Sequence, residues 1–262
     1  MKNKKLNERY YCDFHVHSKE SDGSLTKEEV VQKAIAENKG KGKMVLAISD
    51  HNRIFEDIEK LQEKYKNKIT LVSGCEVSTT YIVPETERNL EVHILALDYD
   101  VKHSEFKEML LRNQHNKRPY IEKILEKLEA VGIRVVNDYQ EIVDFAAPSH
   151  HVGRMVLARM MVKKGLCTTV DECFDNYFGS YGKRLCYVDF PYTYVSMETA
   201  IENIKKAGGL PILCHPYLYN LDNKQLLTLI RHFKEVGGVA MECWYGAYTK
   251  KQRDSLLNIC KM

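Results

Sequence analysis

Several sequence motifs that would directly identify the class of protein are missing from this chain. Its eight cysteines include no CxxC pair, and neither a secretory signal nor an apolar run of the roughly 20 residues that a membrane span needs is visible. We therefore expect a cytoplasmic protein with reduced thiols and no membrane contact. Cys75, Cys214 and Cys243 lie in apolar runs and are interpreted as small buried side chains.

A phosphate-binding loop and a strong net charge are missing as well. The run Gly40-Lys41-Gly42-Lys43 has neither the spacing nor the Ser or Thr of a Walker loop, so a nucleotide would be a substrate and not an energy source. The 39 basic and 36 acidic residues leave a net charge of +3, which is too balanced for binding long nucleic acid through bulk electrostatics. A small anionic substrate is compatible with this balance.

Short apolar runs alternate with amphipathic stretches in the first hundred residues. Strands are predicted at Tyr11 to Val16, Met44 to Ile48, Ile69 to Ser73 and Leu90 to Leu97. One helix begins after Thr26, which forms a capping box with Glu29, and another spans about Ile54 to Tyr65. This βαβα order predicts an α/β protein with a parallel sheet or barrel.

Helical periodicity replaces the strand pattern from about residue 103 to about residue 187. Strand character returns at Pro211 to Cys214 and at Val239 to Trp244, and a last helix is predicted at Lys250 to Cys260. We therefore divide the chain into a first barrel part (1–102), an inserted helical domain (103–187) and a second barrel part (188–262).

Metal-competent side chains recur at or near the ends of the predicted strands. His15 and His17 lie two apart on one strand, so both imidazoles point to the same face. The later strands carry or precede Asp50, His51, Glu76, His93 and His215. Because α/β barrels build their sites at the carboxyl ends of strands, this placement predicts a shared metal site.

Two aspartates near these histidines each have a structural alternative. Asp22, in Ser21-Asp22-Gly23, is typical of a turn, but it lies close enough to His15 and His17 to be a ligand. Asp50 is interpreted as a hydrogen-bond acceptor that fixes the ring of a ligand histidine.

The ligand types indicate which metals and which reaction to expect. Histidine and carboxylate ligands without cysteine suit manganese, iron or zinc better than calcium or magnesium. Neighbouring ions that share Glu76 would suit hydrolysis of a phosphate ester by metal-bound hydroxide.

The motifs, taken in order, resemble those of the PHP (polymerase and histidinol phosphatase) phosphoesterases. They are Asp13-Phe14-His15-Val16-His17-Ser18, Ser21-Asp22-Gly23, Ser49-Asp50-His51, Gly74-Cys75-Glu76-Val77-Ser78 and Cys214-His215-Pro216. The helical insertion is similar to that of the bacterial subgroup that removes phosphate from 3',5'-nucleoside bisphosphates and trims RNA from its 5' end.

This resemblance implies a distorted (β/α)7 TIM-like barrel and two or three divalent ions per chain, with manganese first and iron or zinc as alternatives. It implies that His15, His17 and Glu76 hold the first ion, that Glu76, His93 and His215 hold the second, and that Asp22 and His51 hold the third. His15, His17, Glu76 and His215 would then be the catalytic set.

Two departures from the family pattern stand out. The late Asp-x-His that supplies two further ligands is not found before Met262, so the barrel's last strand is expected to be missing from this sequence. A fragment of a longer protein and a protein that has lost its third metal are both open as explanations. In the insertion, the family's Gly-Arg-Pro-His reads Gly153-Arg154-Met155-Val156 here. Arg154 is retained and Val156 replaces the histidine, which leaves Arg154, Arg159 and His151 as candidates for substrate contacts.

The leading hypothesis is an enzyme that hydrolyses a nucleotide phosphomonoester, either a 3',5'-nucleoside bisphosphate or the 5' end of a short RNA. A catalytically weak metal protein that senses a phosphorylated ligand, and a histidinol-phosphate phosphatase, are the alternatives. The oligomeric state stays open. The aromatic residues Tyr187, Phe190, Tyr192 and Tyr194 either stack a base or pack at a domain junction.

Overall fold

The structure, a computed structural model, describes residues 10–39, 42–147, 152–179, 182–188 and 194–261. Within these ranges six strands form one sheet in the order of the chain. They are β1 (Tyr10–Val16), β2 (Lys43–Ile48), β3 (Thr70–Val83), β4 (Arg88–Leu97), β5 (Leu210–Leu213) and β6 (Ala240–Met241).

The sheet is mixed, which corrects the prediction of a parallel one. β1, β2 and β3 run parallel, whereas β4 is antiparallel to both β3 and β5, and β6 is parallel to β5. The short connection from Val83 to Arg88 explains the reversal, because a parallel crossover needs a dozen or more residues. The α/β class is confirmed, and the uniform βαβα order is wrong at β3 and β4.

β3 is longer than the sequence pattern indicated. The predicted strand stops at Ser73, but β3 continues to Val83 and pairs with β4 from Gly74 onward. Glu76 therefore lies inside a strand, opposite Leu95, and does not follow the strand end as predicted.

The helices surround this sheet and fill the long stretch between β4 and β5. They are α1 (Lys27–Asn38), α2 (Ile58–Tyr65), α3 (Ser104–His115), α4 (Lys117–Ala130), α5 (Tyr139–Phe145), α6 (Arg154–Lys163), α7 (Val170–Cys173), α8 (Met197–Lys206), α9 (Asn223–Glu235) and α10 (Lys250–Ile259). The predicted capping box between Thr26 and Glu29 is confirmed at the start of α1. α2 begins at Ile58, four residues later than expected.

Two main apolar cores lie under these helices. Phe106 and Met109 of α3 join the core formed with β3, β4 and α8. A second core, around Ile121, Ile124 and Leu157, lies among α4 to α7. The division of the chain at residues 103 and 187 stays a prediction. Among the described helices, none is long and apolar enough to cross a membrane.

The sheet curls so that its two outer strands approach each other at one end. His15 of β1 and Glu242, which directly follows β6, are in direct contact through Nδ1 and Oε1 at 2.5 Å. The ends of β1, β2, β5 and β6 and the middle of the β3–β4 pair therefore meet at one place, which is where the site lies.

Candidate metal centre

One buried carboxylate, that of Glu76, forms the centre of the site. Its side chain is 2% exposed, and five histidines point nitrogen atoms at its two oxygens. Oε2 lies 3.0 Å from Nε2 of His15, 3.1 Å from Nε2 of His17 and 3.2 Å from Nδ1 of His51. Oε1 lies 2.7 Å from Nδ1 of His93 and 2.9 Å from Nε2 of His215. The fold thus brings together all the histidines predicted from the sequence as ligands.

The second nitrogen of three of these rings is held by a further carboxylate. Nδ1 of His17 lies 3.0 Å from Oδ1 of Asp22, and Nε2 of His93 lies 2.9 Å from Oε1 of Glu91. Nδ1 of His15 contacts Glu242. A carboxylate on the outer nitrogen fixes the ring orientation and leaves the inner nitrogen free to bind a metal.

Asp22 is positioned to act as more than a turn residue. Besides its contact with His17, Oδ2 of Asp22 lies 3.7 Å from Nε2 of His51. The tight turn that contains Asp22 requires Gly23, because a Cβ at that position would lie 2.3 Å from the carbonyl oxygen of His17. That close approach keeps Asp22 near the two rings.

Asp50 accepts hydrogen bonds as predicted, but not from a histidine. Its carboxylate accepts from the backbone N–H and the hydroxyl of Ser18 at 2.8 and 2.6 Å, and from the hydroxyl of Ser21 at 2.5 Å. The Ser21 oxygen in turn lies 3.3 Å from Nδ1 of His17. Asp50 therefore fixes the loop that carries His17 and Asp22, and it does so through two serines.

His215 shows the strain that is common at functional sites. Its backbone has φ 29° and ψ 58°, in the left-handed region that a residue before proline avoids. Its Nδ1 is buried without a hydrogen-bond partner among the described residues. A buried ring nitrogen without a hydrogen-bond partner is typical of a site that binds an ion.

The donor set fits divalent transition metals and adds one atom that the sequence reasoning missed. Donor atoms of His15, Glu76, Cys214 and His215 all lie within 4.8 Å of one another, and those of His17, His51 and Glu76 form a second such group. Cys214 is fully buried as expected, yet its sulfur belongs to the first group. Burial raises the pKa of the Cys214 thiol, which favours the protonated form over the metal-binding thiolate, so the predicted histidine and carboxylate ligand set stays the prediction.

The electrostatics of the site favour charge on His17 and His93, whereas burial lowers the pKa of His51. Burial alone would lower the pKa of His17, but hydrogen bonds and charges from Asp22 and Glu76 outweigh it and raise the pKa to about 10. Burial opposes charge on His93 in the same way, and Glu76 and Glu91 raise its pKa to about 9. Burial favours the neutral form of Glu76, but the charges of His51, His93 and His15 hold its pKa well below the usual range.

These shifts predict that metal binding releases protons. Without metal, His17 and His93 carry protons at pH 7.5, because their raised pKa values lie above that pH. A metal competes with those protons, so its affinity rises by about tenfold per pH unit for each proton released, up to pH 9 to 10. Calorimetric titration with Mn²⁺ in buffers of different ionisation enthalpy measures this release. An affinity that is flat between pH 6.5 and 9 would contradict the assignment.

A cavity of about 150 Å³ opens beside the histidines. Its wall includes Asp22, His51 and His93 from the metal centre and Lys117 and Arg154 from the helices. An adjoining cavity of about 210 Å³ shares His93 and Arg154 with it. Arg154 Nη2 lies 3.3 Å from Oε2 of Glu91, and burial lowers the pKa of Lys117. Two cations thus face the space next to the cluster.

The other predicted substrate residues have different outcomes. Arg159 is exposed and donates to the backbone oxygen of Asp22 at 2.8 Å, so it supports the Asp22 loop and does not line the two cavities. Val156, which stands where the family has a histidine, is buried in the core of the helical segment and also lines the smaller cavity. His151 lies outside the described residues.

The four aromatic residues predicted to contact a base or pack at a domain junction also have different outcomes. Tyr194 lines the smaller cavity and Tyr187 the larger one, while Phe190 and Tyr192 lie outside the described residues.

Sequence reasoning missed three charged residues of the site. Glu91 lies two residues before His93 on β4, and the alternation that identified His15 and His17 would have identified it too. Glu242 lies within the last predicted strand. An acidic residue inside an apolar strand is unusual, and this could have identified Glu242 as a site residue. Lys117, at the start of α4, carried no local signal, because only the fold brings it to the cavity.

The mixed sheet gathers five histidines around a buried glutamate, which is the kind of side-chain set that holds the ions of metal-dependent hydrolases. The sequence matches the family described as PHP domain over residues 13–191. It is 31% identical to the 5'-3' exoribonuclease of Haemophilus influenzae, over 95% of this chain and 84% of that protein. It is 26% identical to the 3',5'-nucleoside bisphosphate phosphatase of Chromobacterium violaceum, over 90% of this chain and 78% of that protein.

The fold comparison agrees with the sequence comparison. The structure is similar to that of an amidohydrolase from Chromobacterium violaceum with bound sulfate and no metal, with a TM-score of 0.77 and 24% identity over 93% of this chain and 80% of that one. This chain belongs to the PHP domain family. The resemblance drawn from the motifs is confirmed, and so is the prediction of a metal-dependent phosphoric ester hydrolase.

Proposed function

We propose that this protein hydrolyses a phosphomonoester of a nucleotide, either a 3',5'-nucleoside bisphosphate or the 5' end of a short RNA. The observation that supports it most is the shared wall between the histidine cluster and the cavity that holds Arg154 and Lys117. A phosphoryl group in that cavity would face His51 and His93 on one side and the two cations on the other. The names of the curated relatives support the same substrate class.

The chain's own residues have distinct tasks in this proposal. The Arg154 guanidinium offers a fork to two phosphate oxygens, and the Lys117 ammonium adds a compact charge. Glu91, in contact with both Arg154 and His93, holds the guanidinium beside the metal centre. Burial lowers the pKa of Lys117, and a bound phosphate would favour its charged form. Tyr120, Phe174 and Tyr194 line the same cavity and offer aromatic surface to a base.

We assign two or three divalent ions to the cluster. His15, His17 and Glu76 would hold one ion, Glu76, His93 and His215 a second, and Asp22 with His51 a third. Such ions supply a nucleophile from water at neutral pH and stabilise the charge of an in-line phosphoryl displacement. Manganese, zinc and iron all suit these histidine and carboxylate ligands.

The domain organisation belongs to the same proposal. We assign the curled sheet to a distorted (β/α)7 barrel, with the helices between about 103 and 187 as an insertion that covers the site. Lys117 and Arg154, which both come from these helices, would then reach the metal centre from the inserted segment.

Substrate preference tests the proposal. Phosphate release is measured from adenosine 3',5'-bisphosphate, a 5'-phosphorylated RNA trinucleotide and histidinol phosphate, each with Mn²⁺, Zn²⁺ or Fe²⁺. We expect turnover of at least one nucleotide substrate with a kcat/KM well above that for histidinol phosphate. Preference for histidinol phosphate would overturn the substrate assignment. Tight binding of the bisphosphate without turnover under any metal would identify a sensor instead of an enzyme.

A further inference from the structure

We propose that Glu242 is a positioning residue that fixes both a ligand ring and a ligand-bearing backbone at the metal centre. The inference rests on the proposed function, because it concerns the same site. Glu242 follows β6 directly, and its side chain is 13% exposed.

The first contact of Glu242 determines which nitrogen of His15 can bind a metal. Oε1 of Glu242 lies 2.5 Å from Nδ1 of His15, while Nε2 of the same ring lies 3.0 Å from Oε2 of Glu76. When Nδ1 carries the hydrogen and donates it to Glu242, the lone pair of Nε2 points towards Glu76. Glu242 therefore selects the tautomer that faces the centre of the cluster.

The second contact stabilises the strained backbone at His215. Oε2 of Glu242 accepts a hydrogen bond from the backbone N–H of His215 at 2.8 Å. That residue has φ 29°, a conformation that persists only when its surroundings hold it there. One carboxylate thus connects the ends of β1, β5 and β6, and it holds two residues whose rings face opposite oxygens of Glu76.

The geometry favours positioning over direct ligation. One oxygen of Glu242 accepts from the backbone N–H of His215, and the other lies against Nδ1 of His15, the ring nitrogen remote from Glu76. The donor atoms that lie within 4.8 Å of one another on this side come from His15, Glu76, Cys214 and His215, and Glu242 is outside that group.

The test compares Glu242→Ala and Glu242→Gln with the wild type and with the control Glu198→Gln. Glu198 makes a contact of the same length, 2.5 Å from Oε1 to Nε2 of His232, away from the cluster. Metal affinity and saturating stoichiometry are measured by competition with a chelating dye. The His15 tautomer is read from ¹⁵N NMR of the zinc-loaded, histidine-labelled protein, with His15→Gln for assignment.

We expect Glu242→Ala to bind metal about 10- to 100-fold more weakly than the wild type, at unchanged saturating stoichiometry. The metal affinity of Glu242→Gln should lie between those of the wild type and Glu242→Ala. The glutamine amide has one acceptor oxygen, whereas the N–H groups of His15 and His215 each need one. The wild-type NMR signature should show a protonated Nδ1 and a metal-bound Nε2 for His15. Glu198→Gln should match the wild type.

The outcomes separate this inference from the proposed function. If the wild type binds no divalent metal, the proposed function fails, and the inference fails with it. If the wild type binds metal and both Glu242 variants keep its affinity, the inference alone is overturned. A variant that loses one whole ion would also overturn it, in favour of direct ligation. Should Glu242→Ala fail to fold, the nearly isosteric Glu242→Gln decides the question by the same measurements.

Discussion

Replacing Glu76 with glutamine is expected to abolish both metal loading and phosphate release. The substitution keeps the volume of the side chain but removes the charge that five histidine nitrogens face at 2.7 to 3.2 Å. Removing one partner of a buried charge cluster typically costs about 3–5 kcal/mol, which corresponds to a loss of roughly two to three orders of magnitude in affinity for each ion held. Because more than one ion would share this carboxylate, we expect activity to fall by about a thousandfold or more.

The measurement for Glu76→Gln is the metal content by mass spectrometry together with the rate of phosphate release. Glu198→Gln is the matched control, because it removes a carboxylate that contacts a histidine outside the site. Circular dichroism of both variants shows whether the fold is kept. A folded Glu76→Gln variant with wild-type metal content would mean that the cluster is not the metal centre.

Replacing Arg154 with alanine is expected to weaken catalysis without removing the metals. Arg154 lines both cavities beside the cluster, and its guanidinium contacts Glu91 and not the ligand histidines. Loss of one charge-assisted contact to a transferring phosphoryl group typically costs about 10²- to 10³-fold in rate. Arg154→Lys should recover part of this loss, because an ammonium keeps the charge but not the bidentate fork.

The control for Arg154 lies on the same helix. Lys163 is exposed near the end of α6, so Lys163→Ala removes a positive charge from that helix without touching the cavities. We expect its kcat/KM and metal content to equal those of the wild type. If Arg154→Ala retains wild-type kcat/KM, the cavity is not where the phosphate binds.

Most of the metal-competent side chains could be predicted from sequence because each stands at a recognisable place in the chain. His15 and His17 share a face through the two-residue repeat of a strand, and His51 and His215 follow apolar runs. Such local patterns are visible without the fold. What they could not show is that all five rings converge on one carboxylate, since that depends on how β3 pairs with β4.

The errors in the predicted end of β3 and in the direction of β4 also have local physical causes. Ser73 was predicted as the end of a strand because the next residues, Gly74 to Glu76, interrupt the apolar run. In the structure, Gly74 lies against β2, where a Cβ would approach Ala47 and Ile48 to 2.9 Å, and the strand continues through it. β4 runs antiparallel to β3 because only the short turn from Pro84 to Glu87 connects them. The prediction missed this turn because it assumed that helices and strands alternate along the chain.

The other site residues were not predicted because they lie far from the first histidines in the sequence. Lys117 and Glu242 lie about 100 and about 225 residues after His17 in the sequence. Only the position of α4 and the curl of the sheet bring them to the site. Cys214 was interpreted from its apolar surroundings, which correctly predicted its burial but not that its sulfur lies close to the donor atoms of His15, Glu76 and His215.

We propose that the histidines around Glu76 form a metal centre that hydrolyses a phosphomonoester. The most direct test measures metal content and phosphate release from adenosine 3',5'-bisphosphate on the same samples of the wild type and of His17→Ala. We expect bound metal and turnover in the wild type, with both reduced in the variant because Nε2 of His17 lies 3.1 Å from Glu76 and Nδ1 lies 3.0 Å from Asp22. Equal phosphate release by the two proteins at equal metal content would contradict it.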